Sequence, residues 1–205
     1  AGVRRVVYAS SAAIYGNNGE GTAISEDTPK NPLTPYAADK LASEHFLDFY
    51  RRQHGLEPVI LRFFNIYGPR QDPSSPYSGV ISIFSERAQK KLPITVYGDG
   101  EQTRDFVYVD DLVKILVQAV AEAKPRMEPV NVGFNRSTSV NDLATMLSEL
   151  LGWPLALTYD APRSGDIRHS RAENSRLLAH FSLEKPTCFA EGLGQLLRSI
   201  DAGGR

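Results

Sequence analysis

The spacing of apolar residues switches repeatedly between the period of two expected of a strand and the 3.6 of a helix. Arg5 to Ser10 is a short β-rich run that reads as the first strand. The next stretch, Gly16 to Pro35, holds Asn17-Asn18-Gly19 and three prolines, and reads as surface turns close to a site. Thr34 can cap a helix with Pro35 at its first position, which runs through Tyr36, Leu41, Phe46 and Tyr50 to a stop at Gly55. Pro58 to Phe63 is the second strand. Beyond Gly68-Pro69, loops rich in Pro, Ser and Gly lead to a helix near Val80 to Lys91 and a short strand from Ile94 to Tyr97, an excursion from the sheet. Phe106 to Val109 resumes as strand, followed by a helix capped by Asp110 or Asp111 with Leu112, Ile115, Leu116 and Ala119 along one face. Val130 to Gly133 is one more strand. Ser139 then opens a capping box with Asp142, and Val140, Leu143, Met146, Leu147 and Leu150 form a helical stripe that stops at Gly152. Strands alternating with helices argue for an α/β protein whose sheet is largely parallel.

Charge narrows the partners. Lys and Arg total 23 against 24 Asp and Glu in 205 residues, so no net field draws the chain to nucleic acid or to an anionic membrane, and a small-molecule partner is expected. No apolar run approaches the roughly 20 residues of a membrane helix. Cys188 is the only cysteine, which excludes an internal disulfide and fits a reducing, cytoplasmic setting. The four histidines, His169 among them, show no metal-ligand spacing.

Tyr36 and Lys40 lie four apart on the predicted helix, so they share a face and the ammonium can approach the phenol. A phenol ionises near pH 10 in water, so one that acts as a base at neutral pH needs positive charge close by. By itself the Y-x-x-x-K spacing also fits a surface tyrosine beside a solvated lysine. Context adds to it: Ser10-Ser11 ends the first strand, and ligands bind at strand ends in parallel sheets.

Three segments, Ser10-Ser11-Ala12-Ala13-Ile14-Tyr15-Gly16, Pro35-Tyr36-Ala37-Ala38-Asp39-Lys40 and Leu61-Arg62-Phe63-Phe64-Asn65-Ile66-Tyr67-Gly68-Pro69, together resemble the extended short-chain dehydrogenase/reductase family, and within it the NAD-dependent sugar-nucleotide 4-epimerases. The resemblance runs in order over nearly the whole chain. It implies the C-terminal part of a Rossmann-like parallel sheet plus a small α/β substrate-binding domain. Residues 1–70 and 104–135 would belong to the sheet, 71–103 and 136–205 to the smaller part. It makes Tyr36 the base for the hydroxyl at carbon 4 of a UDP-hexose, Lys40 its partner and a ligand of the nicotinamide ribose of NAD, and Ser11 the bridge to the substrate hydroxyl. Phe63 and Phe64 would lie by the nicotinamide; as residues at a strand end they read equally well as core. Asn65 would bind the diphosphate. Tyr97 would sit near the uracil and Arg104 would fork onto the diphosphate, although a surface arginine paired to Asp99 or Asp105 has the same sequence. Arg163-Ser164-Gly165-Asp166 resembles the second diphosphate arginine and the aspartate of the uridine ribose. Ser170, where a bulky residue narrows the sugar pocket in the family, implies room for an N-acetyl group at carbon 2; the bland reading is a solvent-facing serine. The family's dehydratases carry an acidic residue after the serine, where this chain has Ala12 and Ala13. That favours oxidation and re-reduction over elimination, and leaves a ketoreductase as the related alternative.

The resemblance also implies a strand, a glycine-rich turn and a helix that bind the pyrophosphate of NAD. Gly16 to Gly21 has three glycines but no strand–turn–helix setting, so it is not that turn. On the order of 100 residues are therefore expected ahead of Ala1. The chain reads as a fragment of a parent enzyme, inactive alone and inclined to associate through uncovered faces, and the resemblance implies a homodimer through the Tyr36 helix. A non-catalytic module that binds sugar nucleotides is the reading from another class.

Overall fold

The computed structural model describes residues 2–18, 21–75, 79–121, 128–163 and 166–203. The first strand, β1 (Arg5–Ser11), ends in a single 3₁₀ turn, Ala12–Tyr15, for which the Ser11 hydroxyl caps the Ala13 N–H. Helix α1 (Pro35–His54) follows, with the Thr34 side chain accepting from Ala37 N–H, Pro35 in the first turn and Gly55 closing it in the left-handed conformation at φ 65°. Next come β2 (Glu57–Phe63), β3 (Asn65–Tyr67), α2 (Val80–Gln89), β4 (Ile94–Tyr97), β5 (Thr103–Arg104) and β6 (Phe106–Tyr108). Helix α3 (Val109–Ala121) starts directly on β6, so Asp110 and Asp111 stand in its first turn rather than capping it, where negative charge suits the helix dipole. Asp111 accepts from the Thr187 N–H at 2.7 Å and pairs with Lys114. The chain continues through β7 (Val130–Val132), β8 (Thr138–Ser139), α4 (Val140–Leu151), β9 (Leu157–Asp160), β10 (His169–Ser170), α5 (Ser175–His180) and α6 (Phe189–Gly203). The Ser139–Asp142 capping box and the Gly152 stop of α4 form as the sequence predicts. Among the described residues no helix is long and apolar enough to cross a membrane.

The fold is α/β with parallel pairing dominant. The order β1-β2-β7 forms an all-parallel sheet; β3 pairs with β6 and β4 with β9, also parallel, and β5 lies between β10 and β8. Alternation along β2 sets the two faces of the main sheet. Val59 and Leu61 pack with Leu112 and Ile115 of α3, with Phe63 against the same cluster, whereas Pro58, Ile60 and Arg62 share a cavity wall with Leu41 and Glu44 of α1. β6 is a shared wall: Val107 enters the core under α3, and Phe106 and Tyr108 enter a second core with Phe84, Leu143, Leu147 and Leu193. A third, small cluster joins Ile14, Tyr15, Ile24, Phe64 and Ala172.

Candidate active site

Two groups of residues make up the candidate site, the first of them at the C-terminal end of β1. The first is the reactive corner. α1 packs on β1 and on the 3₁₀ turn, which brings Lys40 to the strand end. There its Nζ donates to the Ala9 carbonyl at 2.9 Å, 5.6 Å from the Tyr36 ring centre and 5.1 Å from that of Tyr8. Tyr36, one residue past the helix's first position, is 47% exposed. Ser11 accepts from the Ala13 N–H at 3.2 Å, which leaves its hydroxyl proton for another acceptor. Phe63 and Phe64 part company here: Phe63 packs toward the α3 side, Phe64 is buried with Tyr15 and Ala172.

The second group forms a cavity of about 380 Å³ lined by Asn65, Val80, Phe84, Val96, Tyr97, Gln102, Arg104, Arg163 and Asp166. A smaller cavity of about 180 Å³, walled by Phe64 and Gln71, shares Asn65, Gly79 and Val80 with it. The walls differ in kind. Val80, Phe84 and Val96 are apolar, and Tyr97 is a ring that the Arg163 guanidinium stacks on at 3.9 Å. Arg104 enters from β5, its Nη1 donating to the Thr103 carbonyl at 2.8 Å and its Nη2 to Asp166 Oδ1 at 2.6 Å. Burial draws the Arg104 guanidinium below its ordinary pKa, and the Asp166 carboxylate opposes that shift. A planar fork beside an apolar slot suits an anion carrying a flat base. Ser170 is buried in β10, in register with Arg104. Asn65, Tyr97, Arg104, Arg163 and Asp166 thus line one cavity; Ser164 and Gly165 lie outside the described residues, as do Gly19 and Glu20.

What sequence reasoning missed is the support beneath these groups. Arg62, buried in β2, donates to both Glu44 oxygens (3.0 and 2.7 Å), to the Tyr15 hydroxyl (2.8 Å) and to the Glu26 carbonyl (3.1 Å). Ser10 donates to Glu44, the Tyr15 hydroxyl donates to Asn131 Oδ1 at 2.7 Å, and the Asn131 N–H donates to Glu26 Oε1. Glu44 lies one turn beyond Lys40 on α1, so the network fixes the helix that carries the reactive pair to the strands under it. Burial pushes the Tyr15 phenol up to about 12, with Arg62 pulling the other way. The available signal was an arginine inside the apolar run Val59-Ile60-Leu61-Arg62-Phe63, which needs a buried acid somewhere.

Residues 1–133 match the NAD dependent epimerase/dehydratase family. The chain is 39% identical over 196 residues to the UDP-glucose 4-epimerase of Mycolicibacterium smegmatis, covering 95% of this chain and 62% of that protein. Among solved structures it superposes on the UDP-glucose 4-epimerase of Thermotoga maritima with UDP-glucose at a TM-score of 0.93 and 34% identity, over 100% of this chain and 65% of that one. The UDP-N-acetylglucosamine 4-epimerase of Methanobrevibacter ruminantium, in complex with UDP-N-acetylmuramic acid, gives 0.91 and 34% identity, over 98% and 64%. This chain thus spans less than two thirds of the length of these relatives.

Proposed function

This chain belongs to the NAD dependent epimerase/dehydratase family, and from that membership and the geometry of the site we propose that it carries the reactive pair and nucleotide pocket of an epimerase acting at carbon 4 of a UDP-hexose. The observation that carries the proposal is that Tyr36, Lys40 and Ser11 gather at one strand end, where Ser11 pairs with Phe63, and that Asn65, two residues on, lines the cavity armed with Arg104 and Arg163.

The donor set fits a nicotinamide ribose. Lys40 spends one N–H on Ala9 and keeps two of its three for ribose hydroxyls, with Tyr36 beside it and Phe63 and Phe64 at the adjoining strand end. NAD, when bound, supplies reversible hydride acceptance at carbon 4 of the sugar. Tyr36 takes the proton from the hydroxyl there, and the Lys40 ammonium favours the phenolate by its charge. Ser11 donates its free hydroxyl proton to the same sugar oxygen. Asn65, Arg104 and Arg163 hold the diphosphate, Tyr97 and Phe84 flank the uracil, and Asp166 exchanges its Arg104 partner for the uridine ribose. A firm grip on the diphosphate leaves the hexose free to present either face. With Ala12 and Ala13 after the serine, no carboxyl group stands there to drive elimination, which favours epimerisation over dehydration. Ser170, in register with Arg104, is small, which by the family resemblance favours acceptance of UDP-N-acetylglucosamine alongside UDP-glucose.

The test is conversion of UDP-galactose and UDP-N-acetylgalactosamine to their gluco epimers, followed by NMR in the protein carrying this chain with NAD present. Tyr36→Phe removes the general base and lowers the rate by at least about 100-fold, with UDP affinity unchanged within about twofold. Turnover that survives this substitution would sink the mechanism; UDP binding with no turnover in the wild type would assign the chain the pocket alone.

A further inference from the structure

Asp105 sits at the step between β5 and β6, fully shielded from solvent. Its Oδ1 accepts from the Phe134 N–H at 3.0 Å, and its Oδ2 from the Asn135 N–H at 2.9 Å and the Ala172 N–H at 3.1 Å. Its own carbonyl accepts from the Asn65 N–H at 3.0 Å and lies 3.5 Å from the Asn65 side-chain amide. One residue therefore ties together segments distant in sequence: the β2–β3 joint that carries Asn65, the turn after β7, and the chain two residues beyond Ser170. Arg104 is its immediate neighbour. None of its bonded groups is a cation. Burial raises the Asp105 carboxyl, and the backbone N–H groups of Phe134, Ala172, Asn135 and Arg136 act against that rise.

Three N–H groups converging on both oxygens require an acceptor on each side, which a carboxylate has and an amide of the same size lacks. The packing has no slack. A Cβ added at Gly133 would lie 2.8 Å from Asp105 Oδ2 and would collide with the Cβ of Ala172. The junction is therefore built to hold the carboxylate and its three donors at fixed separation.

We propose that Asp105 is a positioning residue that sets Asn65, Arg104 and the strand of Ser170 as one unit, so that nucleotide affinity and discrimination between sugars depend on it although it touches neither. The proposal rests on the reading of the pocket as a UDP-sugar site.

Calorimetric titration of the wild type and of Asp105→Asn with UDP, UDP-glucose and UDP-N-acetylglucosamine tests it, with thermal unfolding run in parallel. In the folded variant we expect UDP to bind at least about tenfold more weakly, and the ratio of the two UDP-sugar affinities to move at least about threefold. Ile115→Ala, which opens the core between β2 and α3, none of whose buried residues lines the nucleotide cavity, serves as the control: a comparable loss of thermal midpoint with unchanged affinities shows that instability alone does not produce the effect. A folded Asp105→Asn protein with wild-type affinities and ratio overturns the proposal while leaving the UDP reading intact. A wild type that binds no UDP overturns both. Should Asp105→Asn not fold, Gly133→Ala keeps the carboxylate and presses on the same junction; we expect the same two changes in smaller size, and wild-type values there overturn the proposal.

Discussion

Arg104 and Arg163 serve one pocket by different physics. Arg104 is half-buried, its fork held by Thr103 and Asp166, whereas Arg163 is exposed and sits over the Tyr97 ring. A lysine at the first position keeps the charge and loses the two-pronged geometry, so Arg104→Lys should weaken UDP binding by about 1.5–3 kcal/mol, roughly 10- to 100-fold, read by calorimetry. Arg163→Lys loses chiefly its ring contact, about 0.5–1 kcal/mol at an exposed site. Equal losses at both positions would contradict the distinction. Tyr15 gives a pH test. Its phenol is raised in the folded state from 10.0 to about 12, so the neutral form is the one the fold favours. That contribution is fully present below pH 10 and is lost as pH rises through 12, an effect of up to about 3 kcal/mol. Tyr15→Phe lacks this titration, so its stability should fall less steeply than that of the wild type between those limits in chemical denaturation. It should also be less stable at neutral pH, because Asn131 and Arg62 lose a buried partner, a cost of about 1–3 kcal/mol.

At the scale of elements, legibility followed local signals. α1 and α4 carry their own start and stop residues, Thr34-Pro35 with Gly55 and Ser139 with Gly152, and both form where those residues place them. β5, β8 and β10 are two residues long each and exist only through one another, so no local period marks them. α6 was illegible for a different reason. Gly192 and Gly194 break the expected helical propensity, yet Gly192 is where α6 meets the rings of Tyr67 and Tyr108: an added Cβ would collide with the Tyr67 hydroxyl and stand 3.0 Å from Tyr108 Cδ2. The contact overrides propensity. Gly192→Ala should therefore destabilise the chain by about 1–3 kcal/mol through overpacking, although alanine is worth about 1 kcal/mol more than glycine inside a helix. A rise in thermal midpoint would refute that packing argument. Thr34→Ala removes the cap on which Tyr36 starts, at a cost of about 1 kcal/mol, measurable by the same melts.

For the whole molecule, the motifs in the sequence were enough to single out Asn65, Tyr97, Arg104, Arg163 and Asp166, which the fold gathers around one cavity. Asp105 and the Arg62–Glu44 pair were not legible there, because their partners lie on other elements and only the fold brings them together. The same limit applies to surfaces. α1 and α3 cover opposite faces of the main sheet, and each also shows apolar side chains outward: Phe46, Phe49 and Tyr50 on α1, with Phe46 65% exposed, and Val113, Val117 and Val120 on α3. Phe49 and Tyr50 pack edge to face and His54 adds a third ring, which makes the α1 patch an aromatic surface of the kind that anchors interfaces. The α3 stripe is aliphatic and lacks such anchors. We therefore expect self-association to run through α1. Sedimentation velocity across a concentration series should show a dimer that Phe46→Glu with Phe49→Glu converts to monomer, while Val117→Glu leaves the distribution unchanged. The converse pattern, with Val117→Glu alone dissociating the dimer, would move the interface to α3 and leave the α1 rings without a partner of their own kind.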